Sequence, residues 1–130
     1  MAQSDTIADL LTRIRNGVLA RRRFVDVYVS KVKLNITKVL ENQGYIERIL
    51  VDNEKGKMRI FLKYAEGREP VLQGLKRISS PGLRRYIPVS DIPRIQGGMG
   101  TVILSTSKGI IDGETARKEK LGGEFLCCVW

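Results

Sequence analysis

Ile7, Leu10, Leu11, Ile14 and Val18 recur at i, i+3, i+4, i+7 and i+11, and this stripe constrains the fold more than any other feature of the chain. The spacing predicts an amphipathic helix, with Ser4 or Asp5 placed to accept the free backbone N–H groups of its first turn. Its other faces carry Arg13, Arg15 and Asn16, and Arg21-Arg22-Arg23 follow at the C-terminal end, where the helix dipole favours cations. The run reads either as a basic contact surface or as a solvated helix end. Phe24 to Val29 then form a short β-branched and aromatic run. Ser30 offers an N-cap to a second helix carrying Val32, Ile36, Val39 and Leu40, which Gly44 stops. Two strands follow, Tyr45 to Asp52 and Lys57 to Tyr64, separated by the turn cluster Asn53-Glu54-Lys55-Gly56. The expected order is α-β-α-β-β, with both helices on one face of a sheet so that both apolar stripes are buried.

The periodicity lapses around Ala65 to Pro70, and the sequence beyond is richer in Gly, Pro and Ser. The expected fold class is therefore α+β, two small α/β domains: residues 1–66, and a mainly β domain with a short helix at residues 67–130. Strands are expected at Val71 to Ile78, Arg84 to Pro88, Thr101 to Thr106 and Glu124 to Trp130, with a helix from Asp112 to Lys120.

Charge and missing residue types narrow the function. Lys and Arg number 23 and Asp and Glu 14, a formal charge of +9. The two halves carry +5 and +4, so the positive field belongs to the whole body and not to a tail. There is no histidine, which removes the commonest general base and zinc ligand. The two cysteines, Cys127 and Cys128, are adjacent; in a strand they point to opposite faces and do not pair. Free thiols fit a reducing compartment. No stretch approaches the ~18 apolar residues of a membrane span, and the first residues lack the pattern of a secretory leader. These features suggest a cytosolic protein, or an organellar one after import, with no cofactor, no metal and no membrane partner.

Three segments could carry chemistry. Gly97-Gly98-Met99-Gly100 lacks the spacing of either a P-loop or a dinucleotide fingerprint. Ser105-Thr106-Ser107-Lys108-Gly109 ends an apolar strand with three hydroxyls, a cation and a glycine. That set suits ribose 2′-OH groups, base edges and phosphates, or else forms a turn with its hydroxyls satisfied locally. Lys76-Arg77 with Ser79-Ser80-Pro81-Gly82-Leu83-Arg84-Arg85-Tyr86 joins a Pro-Gly turn to four cations and an aromatic, a phosphate and base surface or a solvated hairpin tip. The sparse aromatics favour shape-based duplex recognition over a single-strand stacking platform. An enzyme built on Asp112 and Glu114 beside Lys108 would need a concave site that nothing in the sequence signals.

Four segments in order resemble the universal small-subunit ribosomal protein eight family: Asp5 to Asn16, Ser79 to Tyr86, Ser105 to Gly109, and Gly122-Gly123-Glu124-Phe125-Leu126-Cys127-Cys128-Val129-Trp130. The resemblance covers nearly the whole chain. It implies a non-enzymatic constituent of the small ribosomal subunit that binds ribosomal RNA directly in the central domain and helps organise platform assembly. The main RNA surface carries over to Ser105, Thr106, Ser107, Lys108 and Gly109, with Arg84, Arg85, Tyr86, Gly122, Gly123 and Glu124 beside them. Asp5, Thr6, Arg13, Asn16, Ser30 and Lys31 are implied as further contacts. Glu124 is implied to accept from a base amino group or to orient a neighbouring Ser or Lys on the RNA surface, or else to form a purely structural salt bridge. Small-subunit proteins five and twelve are the implied neighbours, and the chain's own operon messenger RNA a second partner. Two departures stand out: Ser80 replaces the usual cation before Pro-Gly, and Cys128 replaces a common aromatic.

Overall fold

In the computed structural model, which describes residues 5–130, the chain divides into two units, Thr6–Gln73 and Gly74–Trp130, with Asp5 joining the second. In the first, α1 (Thr6–Leu19), β1 (Phe24–Tyr28), α2 (Lys31–Asn42), β2 (Ile46–Asp52) and β3 (Lys57–Leu62) follow in the expected order. The strands pair antiparallel as β1-β3-β2. One face of this sheet, bearing Val27, Met58, Ile60 and Leu62, meets Leu10, Leu11 and Ile14 of α1 and Ile36 and Leu40 of α2, all buried. Each fully buried aliphatic side chain of this kind contributes about 1.5–3 kcal/mol by leaving water. α1 lies so near β1 that a Cβ on Gly17 would stand 2.4 Å from Val25 Cγ1. Ser30 caps α2 as its sequence position suggests, its hydroxyl accepting the Lys33 N–H at 3.2 Å. The Ser4 half of the α1 capping expectation lies outside the described residues.

The second unit holds β4 (Leu75–Arg77), β5 (Tyr86–Ile87), β6 (Thr101–Thr106), β7 (Gly109–Asp112), α3 (Gly113–Glu119) and β8 (Gly123–Val129). Its sheet runs β4-β8-β6-β7, with β5 also paired to β8. Six of the seven β8 residues are buried, and beyond Glu124 this central strand reads as an apolar run from Phe125 to Val129 instead of an alternating one. Cys127 and Cys128 are both buried free thiols, and burial pushes Cys127 up to about 12 and raises Cys128. Cys128 packs among Ile92, Val102, Leu104, Ala116 and Phe125.

Three expected elements differ in extent. The strand expected from Val71 shrinks to Leu75–Arg77, because the Val71 N–H bonds back to the Lys63 carbonyl and Ala65 N–H to that of Glu69, turning this segment onto the end of β3. Arg84 and Arg85 lie in the turn before β5, with the Arg85 N–H held by a side chain and not by a neighbouring strand. β7, not anticipated, is a four-residue return strand that makes β6 and β7 a hairpin. The expected helix from Asp112 is found at Gly113–Glu119: the Asp112 carboxylate accepts the Thr115 N–H at 3.1 Å as N-cap, and Lys120 closes it with φ +57°.

Candidate RNA interface

The hydroxyl-rich segment is the tip of the β6–β7 hairpin. Ser107 and Lys108 form the turn and are exposed, and Gly109 takes φ +106°, a conformation L side chains rarely adopt. The Thr106 hydroxyl is spent inside the turn: it donates to the Gly109 carbonyl at 2.8 Å and accepts the Lys108 N–H at 3.2 Å. Thr106 therefore shapes the tip, while Ser107 and Lys108 project from it. Ser105 is half-buried and sits opposite Glu124 of β8, which in turn sits opposite Tyr86 of β5. Tyr86, Glu124 and Ser105 thus form one row across three strands, and side chains directly opposite in antiparallel pairs share a face. Tyr86 is 70% exposed at the outer end of that row.

Glu124 is only 7% exposed and anchors the Pro-Gly turn. Its carboxylate accepts from the buried Ser79 hydroxyl at 2.5 Å and from Arg84 Nη1 at 3.2 Å, and Ser79 Oγ accepts the Arg85 N–H at 3.1 Å. A buried carboxylate with such partners avoids the several kcal/mol that an unpaired one would cost. Of the two roles implied for Glu124, the geometry displays the structural one: it holds Arg84 and the backbone of Arg85 in place beside Tyr86. Ser79 stands in the Pro-Gly segment read from the sequence but without a role of its own there; nothing local marks Glu124, 45 positions on, as its partner.

Gly122 and Gly123 act by close approach. A Cβ on Gly123 would stand 2.3 Å from the Ser105 carbonyl oxygen, and one on Gly122 2.6 Å from that of Ile87. Only glycine lets β5, β8 and β6 converge here. The second unit therefore brings together Ser105, Thr106, Ser107, Lys108, Gly109, Arg84, Arg85, Tyr86, Gly122, Gly123 and Glu124 at one end of its sheet.

Asp5 is drawn elsewhere, to Arg77 at 3.1 Å, while Arg77 also donates to the Leu126 carbonyl. Thr6, Arg13, Asn16, Ser30 and Lys31 lie in the first unit. Thr6, Arg13 and Asn16 are exposed on α1, and Arg13 pairs with Asp9 at 3.4 Å. Lys31 is exposed at the start of α2, next to Ser30, whose hydroxyl is used in the cap. The carboxylates weighed for an enzyme are otherwise engaged: Asp112 caps α3 and also takes the Thr115 hydroxyl at 2.6 Å, and Glu114 pairs with Arg117.

The ribosomal protein S8 family matches residues 5–130. The chain belongs to this family. It is similar to the small ribosomal subunit protein uS8 of Protochlamydia amoebophila, 53% identical over the full length of both chains. That of Chlamydia felis is 51% identical over 98% of this chain and 97% of its own, and that of Syntrophomonas wolfei 45% over the whole of both. The chain is thus a structural, non-enzymatic protein of the small ribosomal subunit, as the four segments suggested. Among the described residues no helix is long and apolar enough to cross a membrane.

Proposed function

We propose that the chain binds small-subunit ribosomal RNA directly, in the central domain, chiefly through the β6–β7 tip and the β5 end of the second unit, and so helps organise the platform. The observation that carries this reading is the pairing of an exposed Ser107-Lys108 tip with an exposed Tyr86 at the same end of one sheet, over a buried Glu124 that orients Arg84. The exposed groups divide the work. Lys108, Arg84 and Arg85 neutralise phosphate, which sets affinity and salt dependence. Ser107 and Tyr86 offer hydroxyls to 2′-OH groups and base edges, which supplies selectivity. α1 and the start of α2 add Thr6, Arg13, Asn16, Ser30 and Lys31 as secondary contacts. On this reading the ribosome is cytoplasmic or organellar, proteins five and twelve are the neighbours, and a messenger RNA copying the ribosomal site engages the same surface.

The test is binding of the purified chain to a central-domain helical fragment and to an unrelated duplex of equal length, across a salt series. Preference for the fragment by several kcal/mol that survives raised salt is expected. Equal binding that vanishes with salt would reduce the interaction to the +9 charge.

A further inference from the structure

The first unit leaves one sheet face uncovered. Opposite the helices, three rows cross it by register: Phe24–Phe61–Arg48, Asp26–Arg59–Leu50 and Tyr28–Lys57–Asp52. Cations lie on its aromatics. The Arg59 guanidinium carbon is 3.9 Å from the Phe24 ring centroid, that of Arg48 is 4.2 Å from Phe61, and the Lys57 ammonium is 5.8 Å from Tyr28. Phe61 is consequently buried at 6% exposure, whereas Leu50 is 51% exposed. Leu50 lines a depression of about 360 Å³ together with Lys55, Lys57 and Arg59.

We propose that this face docks a protein segment that presents carboxylates around one or two apolar side chains. The charge balance argues for the carboxylates. Arg48, Lys55, Lys57 and Arg59 face two acids, and both acids are engaged: Asp26 holds Arg59 at 2.9 and 3.2 Å, and Asp52 accepts the Glu54 and Lys55 N–H groups. The unspent charge is positive, and an acidic segment complements it. The exposed aliphatic argues for protein, because a polypeptide side chain buries Leu50 while a phosphate backbone does not. RNA fits this face less well. Single-strand binding uses open aromatic faces, and here guanidinium groups already cover Phe24 and Phe61. The two carboxylates would also stand close to any phosphate.

The inference takes from the family membership only where the occupant is sought, in the small subunit. The experiment replaces Leu50 by the photoreactive residue p-benzoylphenylalanine in the full chain, assembles it into small subunits, irradiates, and maps the cross-link by mass spectrometry. Tyr28, 68% exposed, is the second attachment point and guards against a local effect at Leu50. The expected product is a protein segment with at least two Asp or Glu within four residues of the linked position, with its yield falling at least five-fold in a Lys57→Glu background. A cross-link to RNA, a cross-link to a segment without carboxylates, an unchanged yield in Lys57→Glu, or no product from either position would overturn the proposal. The same chains are assayed for central-domain fragment binding. Loss of fragment preference in the unsubstituted chain would break the RNA reading and leave the cross-link result standing.

Discussion

The two sheets solve burial in opposite ways. In the first unit β3 alternates from Lys57 to Ile60: Met58 and Ile60 face the helices, while Lys57 and Arg59 face outward. In the second unit β8 is buried on both sides, and the exposed polar groups of the candidate site stand where strands end and turn. A sheet with an open face offers a broad surface of side chains. A sheet covered on both faces offers only its ends, so recognition there falls to the β6–β7 tip, the Pro-Gly turn and Tyr86. The contrast explains why glycine is indispensable at Gly122 and Gly123 in the second unit, where carbonyls crowd the strand end.

The contrast is sharpest for truncation of a leucine. Leu104→Ala, at a site with no exposure, should cost about 2–5 kcal/mol in chemical denaturation through lost transfer energy and a cavity. Leu50→Ala, on the open face, should change stability by no more than about 0.5 kcal/mol. Comparable losses at both positions would mean that the open face is covered.

Next in size is the buried polar anchor. Ser79→Ala leaves the Arg85 N–H without its partner and Glu124 Oε2 with only the 3.4 Å bond from Arg84 Nη1, and should cost about 1–3 kcal/mol in stability. Fragment binding by this variant should weaken without a change in salt slope, since no phosphate contact is removed. If stability holds at the unsubstituted value, the Glu124 cluster does not organise the turn.

The tip separates two kinds of contact. Ser107→Ala should weaken fragment binding by about 1–3 kcal/mol, the scale of an unsatisfied hydrogen-bonding partner, at constant salt slope. Lys108→Ala should instead lower that slope by about 0.7–0.9, the share of one phosphate. Identical slopes for Lys108→Ala and the unsubstituted chain would remove Lys108 from phosphate binding.

Burial of the thiols has a pH signature. Both cysteine values are raised in the folded chain, Cys127 to about 12, so above the ordinary thiol value the unfolded chain loses protons that the folded chain keeps. Stability contributed by these thiols is therefore complete below an unfolded thiol value of about 8.5 and falls as pH rises through and beyond it. Alkylation at pH 8 should label neither cysteine until denaturant unfolds the second unit. Rapid labelling of Cys127 in the native chain would contradict the double-sided burial of β8.

The smallest effect belongs to the open face. The Arg59 hydrogen bond holds the Asp26 carboxyl below its ordinary value, so its contribution is present above the unfolded carboxyl value and is lost as pH falls through the folded one. Both partners are about half exposed, so solvent screens the pair and a double-mutant cycle on Asp26 and Arg59 in chemical denaturation should return only a slight coupling, weaker still at raised salt.

The first unit was legible in the sequence almost element by element, because its patterns are plain: the helical stripe from Ile7 to Val18, and the alternation of Lys57, Met58, Arg59 and Ile60 that opens a strand. The second was legible in outline only. β7 is four residues long and follows its partner after a two-residue turn, too short a stretch for any period to mark it as a strand. The candidate site was visible as residue types. The division of labour within it was not, since Thr106 and Ser107 are both hydroxyls in one run and only the turn geometry sends one inward and the other out. The Ser79–Glu124 contact joins the segment after β4 to β8, beyond the reach of any local pattern.

The most direct test of the account is an amine-reactive footprint of the full chain, free and bound to the central-domain RNA fragment, read lysine by lysine. The account predicts strong protection of Lys108 on binding, with Lys55 and Lys57 on the open face of the first unit reacting as in the free chain. Protection of Lys55 and Lys57 with Lys108 left reactive would contradict it, and would move the RNA surface from the end of one sheet to the face of the other.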